Sequence, residues 1–364
     1  MTQRELEILQ LIKENPLITQ EELAYSLGIT RSGVATHIHN LSKKGYIKGR
    51  GYVVNERNFV TVIGGINMDI MGIPSGNLIA NNSNPGKIQF TLGGAGRNIS
   101  MTLTRLKVPN YLVSVYGDDM NGEKFIKNSM ENNMDIQCCE KINDQNTSSF
   151  LYIDNIDGSK VMGIDDMAIY NHMTPDFLLR YMDKVNNSQY CVIDTNLPAE
   201  TIEYIYQNVT TPTIVKTISI NKNNRLISPD QNIYLLVTSP RELKELLLAY
   251  DEPYINTGKA VDFLLNKNIE NIIVFTINDG IYFKNRSEKI YLKEIPEKIK
   301  HISGASAVLT GVVIWGLQNN LDWKKLLRLA YSAIFISLES IEPVNPVLSI
   351  SKMMDVEKEI FEKH

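Results

Sequence analysis

The chain has 364 residues, long enough for one large domain and a small one, and its 43% hydrophobic and 21% charged residues are ordinary for a globular protein. A formal net charge of -4 excludes a wholly basic nucleic-acid coat protein, although it leaves room for a local basic face. Three cysteines (Cys138, Cys139, Cys191) suit neither a disulfide framework nor a zinc site, and no apolar run approaches the ~20 residues that span a bilayer, so the expectation is a cytoplasmic protein without a membrane partner.

Residues 1–57 form the first expected domain. Leu6, Leu9 and Ile12 recur along a first helix that Asn15-Pro16 stops. "TQEE" offers a capping box from Thr19 to Glu22 for a second helix, which Gly28 closes. Thr30 caps a third. There Val34, Ile38 and Leu41 share one face, which turns Ser32, Thr36, His39 and Lys43 together to the other. "KKGYIKGRGYVV" then alternates around Gly49, Arg50 and Gly51 as a β-hairpin does. Arg31, Lys43, Lys44, Lys48 and Arg50 lie between Ile29 and Asn55 with no acid among them, a charge balance suited to phosphates. The segment resembles the winged helix-turn-helix domains of bacterial transcription regulators. That resemblance implies a DNA operator as partner, with Ser32, Thr36 and His39 toward base edges and Arg31, Lys43, Lys48 and Arg50 toward phosphates.

From residue 58 to 364 the pattern changes to buried strands: "FVTVIGG", "YLVSVYG", "YCVIDTN", "TIVKTIS", "IYLLVTS" and "NIIVFTIND", separated by helix-length stretches. This predicts an α/β domain, a mostly parallel sheet with helices on both faces. Residues 81–92 and 148–163 read instead as antiparallel strands, a small flap over the carboxyl ends of the main strands.

Three short stretches could carry chemistry. "GGINMD" sets Asn67 and Asp69 after the first strand, where a carboxylate accepts from vicinal hydroxyls or simply caps a turn. "LGGAGRN" supplies Gly93, Gly94 and Gly96 for close approach of backbone to a ligand, and Asn98 for a ribose edge. In "HISGASAVLTG", Gly304, Ala305 and Ser306 open an apolar helix whose free N–H groups form an anion hole.

With "NSNPGKIQFTLGGAGRN", "GDDMNGEKF", "DGSKVMGIDDMAIYNHMTP" and "VIDTNLP", these stretches resemble the PfkB or ribokinase-like carbohydrate kinases, and among them the pseudouridine and related nucleoside kinases. The resemblance implies a ribokinase-like fold. It also implies a sugar or nucleoside ligand held by Asn67, Asp69, Gly93, Gly94, Asn98 and Asp166, ATP and Mg²⁺ in an active member, and pairing into a homodimer.

The carboxyl-terminal half departs from that pattern. Where the family reads D-T-x-G-A-G-D, this chain reads His301 to Ala307, so an alanine stands at the place of the proton-accepting aspartate. The metal-supporting N-x-x-E after "VTSP" is met by Arg241 and Lys244. Thr276-Ile277-Asn278 lacks the glycine of a T-L-G turn, and Lys216-Thr217 replace the start of D-P-V-S. A missing base alone costs about 10²- to 10⁴-fold in rate. The expected protein is therefore a transcription regulator that senses a nucleoside or sugar through an impaired kinase domain. The alternatives are an active kinase with a DNA-binding arm, in which His301 or an unrecognised carboxylate stands in as base, and an interaction protein whose former pocket binds nothing.

Overall fold

The computed structural model describes residues 1–48, 58–155, 160–218, 226, 232–294, 296, 299 and 302–362. It comprises two compact units, Met1–Asn58 and Phe59–His364.

The first unit holds α1 (Gln3–Glu14), α2 (Gln20–Leu27) and α3 (Arg31–Lys43). Thr2, Thr19 and Thr30 cap them, the first two in closed capping boxes with Glu5 and Glu22, and Gly28 ends α2 at φ 62°. Ile8, Leu9, Ile12, Leu23, Val34, Ile38, Leu41 and Ile47 pack as one core. Leu6 is not part of it and is 52% exposed. The buried stripe of α1 runs through positions 5, 8, 9 and 12, so a residue at position 6 turns away from it. Glu5, 1% exposed, therefore sits on the inner face, where both carboxylate oxygens accept from Lys44 Nζ at 2.8 and 2.7 Å. The hairpin expected around Gly49, Arg50 and Gly51 lies outside the described residues.

In chain order the second unit runs β1 (Val60–Ile63), β2 (Asn67–Pro74), β3 (Gly86–Gly93), α4 (Ala95–Arg105), β4 (Asn110–Gly117), α5 (Met120–Glu131), β5 (Cys139–Ile142), β6 (Ser149–Asp154) and β7 (Lys160–Asp166). After a 3-10 turn at Ala168–His172 come α6 (Pro175–Leu179), α7 (Met182–Asn187), β8 (Tyr190–Asp194), α8 (Ala199–Asn208), β9 (Thr213–Lys216), β10 (Ile233–Thr238), α9 (Pro240–Leu248) and α10 (Thr257–Leu265). The chain ends with β11 (Ile269–Thr276), β12 (Gly280–Asn285), β13 (Lys289–Leu292), α11 (Ala305–Gln318), α12 (Trp323–Leu338) and α13 (Ile350–Phe361).

One sheet has the order β13-β12-β11-β10-β9-β8-β1-β4-β5 and is parallel except for β12, which pairs antiparallel with both β11 and β13. Alternate strand residues feed two cores: Val60 and Val62 pack with α4, α11 and α12, while Ile63, Cys191 and Ile193 pack with α6 to α10. The chain winds from β1 toward β4 on one side and then from β8 toward β11 on the other. Such a reversal leaves a crevice at the carboxyl ends of β1 and β8, the place where open α/β sheets bind ligands.

A second sheet, order β3-β2-β6-β7, forms the flap. It is larger than the sequence suggests, because "NMDIMGIP" contributes β2 rather than merely following β1. Gly72 and Pro74 had hidden the alternation. Strand pairing sorts its side chains: Asp69 lies beside Phe150 and then Asp165 on one face, while Ile70 lies beside Phe90 and Leu151, and Leu151 beside Ile164, on the other.

Candidate functional site

The crevice is built from turns. After β1, Gly64 and Gly65 lead into Asn67 and Asp69; before α4, Gly93 and Gly94 lead into Asn98. Asn67 Oδ1 lies 3.0 Å from Ser148 Oγ, which donates to it, and 2.5 Å from Tyr170 Oη. Tyr170 Oη also lies 2.8 Å from Ile66 O, and its single proton serves one of these acceptors at a time. Burial raises the Tyr170 phenol well above its usual range, so it stays protonated. Asn98 is buried, its Oδ1 accepting from Arg97 Nη1 at 3.0 Å. Burial lowers the Arg97 pKa to about 10, with Glu342 and Asp69 opposing the shift, which leaves the guanidinium charged at neutral pH.

The glycines are required by neighbouring protein. A Cβ on Gly93 would overlap the Asp69 carboxylate, and one on Gly94, at φ 92°, would strike the Gly65 carbonyl.

Asp69 is buried, and its Oδ2 lies 3.5 Å from Ser303 Oγ, the residue before the N-cap of α11. Two parts of the candidate site, far apart in sequence, therefore meet. Asp166 is exposed and opposes Ser149, on the flap face away from Asp69, whereas Asp165 shares the Asp69 face. Both acids, with Tyr170, Asn171 and Asn196, line a pocket of about 310 Å³.

Gly304 caps α11 at φ 88° with no side-chain cap; Ala305 N makes a long hydrogen bond of 3.4 Å to Ile302 O, and the first-turn N–H of Ser306 keeps the character of an anion hole. Ala307 is buried in the apolar core. His301 lies outside the described residues.

The carboxyl end of β9 differs from the flap side. Lys216 is buried, with Nζ donating to Thr217 O and standing 3.9 Å from Glu242 Oε2. That same oxygen accepts from Thr217 Oγ1 at 2.5 Å and from Ser239 N at 2.9 Å, closing the capping box of α9. A carboxylate does exist where sequence comparison offered only Arg241 and Lys244, but it is already engaged. This set does not suit Mg²⁺, because a divalent cation approaching Glu242 meets an ammonium ion.

In the first unit Arg31, Ser32, Thr36, His39, Lys43 and Lys48 are all exposed. Thr36 Oγ1 donates to Ser32 O at 3.0 Å, and Arg31 lies 3.2 Å from Glu21. Lys44 is turned inward to Glu5 and adds little to an outer positive face. Arg50 lies outside the described residues.

Sequence reasoning missed Tyr170, Ser148, Asn196 and Asp194. A charged residue ending the apolar run "YCVID" was the available signal.

Comparison with known proteins agrees with this organisation. Residues 1–48 match the winged helix-turn-helix DNA-binding family, and residues 57–346 match the pfkB family carbohydrate kinases. An uncharacterized sugar kinase of Escherichia coli, YeiI, is 30% identical over 98% of this chain and 99% of its own length. The pseudouridine kinase of Escherichia coli is 24% identical, covering 83% of this chain and 97% of its own. Among solved structures, a Thermotoga maritima ribokinase superposes with a TM-score of 0.70 at 16% identity over 82% of this chain and 99% of that one. A Burkholderia thailandensis nucleoside kinase in complex with inosine gives 0.68 at 12% identity, over 83% and 98%. With a ribokinase-like α/β unit behind a winged helix, this chain belongs to the pfkB family of carbohydrate kinases and carries a winged helix-turn-helix DNA-binding domain in front of it.

Proposed function

We propose that this protein is a cytoplasmic DNA-binding regulator whose pfkB-type unit senses a nucleoside or sugar without phosphorylating it. The observation that carries this reading is the contrast across the crevice. Buried polar groups persist around Asp69, while the opposite side presents Ala307 and an ammonium ion, Lys216, beside Glu242. Phosphoryl transfer depends on positioning and on neutralising charge with metal, so a site that repels the metal and lacks the base retains binding without turnover. The pseudouridine kinase relationship favours a nucleoside, with Asp69, Asn67, Asn98 and the pocket beside Asp166 as its surroundings.

Pairing is part of the proposal. The outer flap face exposes Ile88, Phe90, Leu151, Met162 and Ile164, an apolar patch on the order of 500 Å². That is a sizeable part of the ~800 Å² per partner buried in a stable dimer. Asp166, opposite Ser149, stands at the end of this face, so a stacked pair of copies would keep it at the solvated rim. Ligand binding beneath the flap would then alter how the copies meet and how two α3 helices are spaced on an operator.

The second reading is an active kinase with a DNA-binding arm, favoured by the open N-terminus of α11 beside Asp69. ADP release with Mg·ATP and a nucleoside panel separates the two. Turnover at an ordinary ~1 to 100 s⁻¹ overturns the sensor reading, while a thermal shift with pseudouridine and no turnover supports it.

A further inference from the structure

Asp194 closes β8 at the crevice, 1% exposed, and nothing in the expected ligand chemistry uses it. Its Oδ2 accepts from Gly65 N at 2.8 Å and from Gly96 N at 3.0 Å, and its Oδ1 accepts from Asn196 N at 2.9 Å. One carboxylate thus holds backbone N–H groups from three separate segments. Gly65 stands two residues before Asn67, and Gly96 two residues before Asn98.

The packing admits little else. A Cβ on Gly64 would overlap the Asp194 carboxylate and the Gly96 backbone, and one on Gly96 would overlap Gly64. The two turns are in direct contact, with the carboxylate wedged against both. Helix α4 has a glycine N-cap and no side-chain cap of its own, so Asp194 supplies from β8 the acceptor that a capping residue normally provides. The positive end of the helix favours the ionised form there. An anion therefore already occupies the glycine-rich start of α4. This helix end serves to hold the site together, which leaves α11 as the end open to a ligand anion.

The same place is the root of the flap. Strand β2 leaves the core through Gly64 to Ile66, and β3 returns to it through Gly93 and Gly94. Arg97 N donates to Gly65 O at 3.1 Å, a further bond between the two roots.

We propose that Asp194 is a positioning residue that couples the two glycine turns, so that Asn67, Asp69 and Asn98 are presented to the ligand as one preassembled surface. This rests on the reading that the crevice is the ligand site. The experiment compares full-length wild type with Asp194→Asn and with Glu357→Gln, a buried carboxylate paired with Lys325 and Arg328 between α12 and α13. Amide hydrogen exchange is followed in residues 64–69 and 94–98, and pseudouridine affinity is measured by calorimetry well below the melting temperature of each variant.

Losing a charge-assisted acceptor from both turns should speed exchange in both segments together and weaken pseudouridine binding by about tenfold or more. Glu357→Gln should lower the melting temperature and move neither readout. Loosening of one segment only, or unchanged affinity with both segments loosened, overturns the proposal. So does an equal effect from Glu357→Gln. If wild type binds no pseudouridine, other nucleoside or ribose, the ligand-site reading fails, and the exchange data still decide whether the turns are coupled. Should Asp194→Asn not fold, Gly64→Ala, which pushes a methyl group against the same carboxylate, should loosen the same two segments; loosening of one alone overturns the proposal.

Discussion

Around Asp69 the polar groups are buried, multiply bonded and aimed into the crevice, whereas at β9 and α9 they satisfy one another. Asn67, Ser148 and Tyr170 form a network whose members also hold the flap. Lys216, Thr217 and Glu242 form a closed cluster with its charges neutralised internally. The difference teaches that the two sides of one crevice can satisfy their polar groups independently. A chain can keep the first set of buried groups and fill the second with self-satisfied ones at no cost in unpaired charge.

A related contrast runs through the flap sheet, which sets Asp69 and Asp165 on one face and the apolar Phe90, Leu151 and Ile164 on the other. Placing Ile164→Asp on the outer face should weaken dimerisation by roughly a thousandfold, since burying an unpaired carboxylate costs several kcal/mol. Light scattering should then report a monomer at concentrations where wild type pairs. A wild type that is monomeric at all concentrations breaks the pairing half of the comparison.

Within the crevice, Asp69→Ala should lower pseudouridine affinity by ~100-fold, the loss of two hydrogen bonds to a charged group. Lys216→Met, on the other side, should change it by no more than about threefold. Calorimetry that reverses this ranking would put the ligand on the β9 side.

The first unit has its own ion pair, between the buried Glu5 and the partly exposed Lys44. The hydrogen bond from Lys44, followed by that from the Thr2 backbone, holds the Glu5 pKa below its ordinary 4.5. The stabilisation is therefore fully present above pH 4.5 and is lost as the pH falls through the lowered value. Circular-dichroism melts from pH 7 to pH 3 should show an acid-induced loss of stability in wild type that Glu5→Gln largely lacks.

The smallest effects belong to the DNA-facing stripe. Lys48→Ala should weaken binding to all duplexes a few-fold and reduce the salt slope by about 0.9 per site. Thr36→Ala should change preference at one base position by about twofold, because the hydroxyl is already bonded to its own helix at Ser32. Fluorescence anisotropy at several salt concentrations measures both.

Much of the architecture was legible in order along the chain. Threonine caps, Gly28 and the apolar period specify α2 and α3 because helix ends and faces depend on neighbours within a few residues. The β-branched runs announce a parallel sheet for the same local reason. Strand β2 was not legible, since Gly72 and Pro74 interrupt its alternation and its partners on β6 lie 81 positions away, from Met68 beside Ser149 to Gly72 beside Ile153. Ala307 and the run from Gly304 to Ser306 were visible as residue types; that Ser303 reaches Asp69 was not, because the two stand 234 residues apart.

By itself the sequence determined the two units, the helices of the first, the parallel strands of the second and the chemical inventory of the crevice, because these follow from local periodicity and residue type. Only the tertiary structure decided which groups are spent. Gly93 serves Asp69, Lys44 serves Glu5, Glu242 is engaged by Thr217 and Ser239, and Asp194 joins two turns. Hydrogen-bond satisfaction is a property of groups brought together by folding, and a linear pattern records the donors and acceptors without recording their partners.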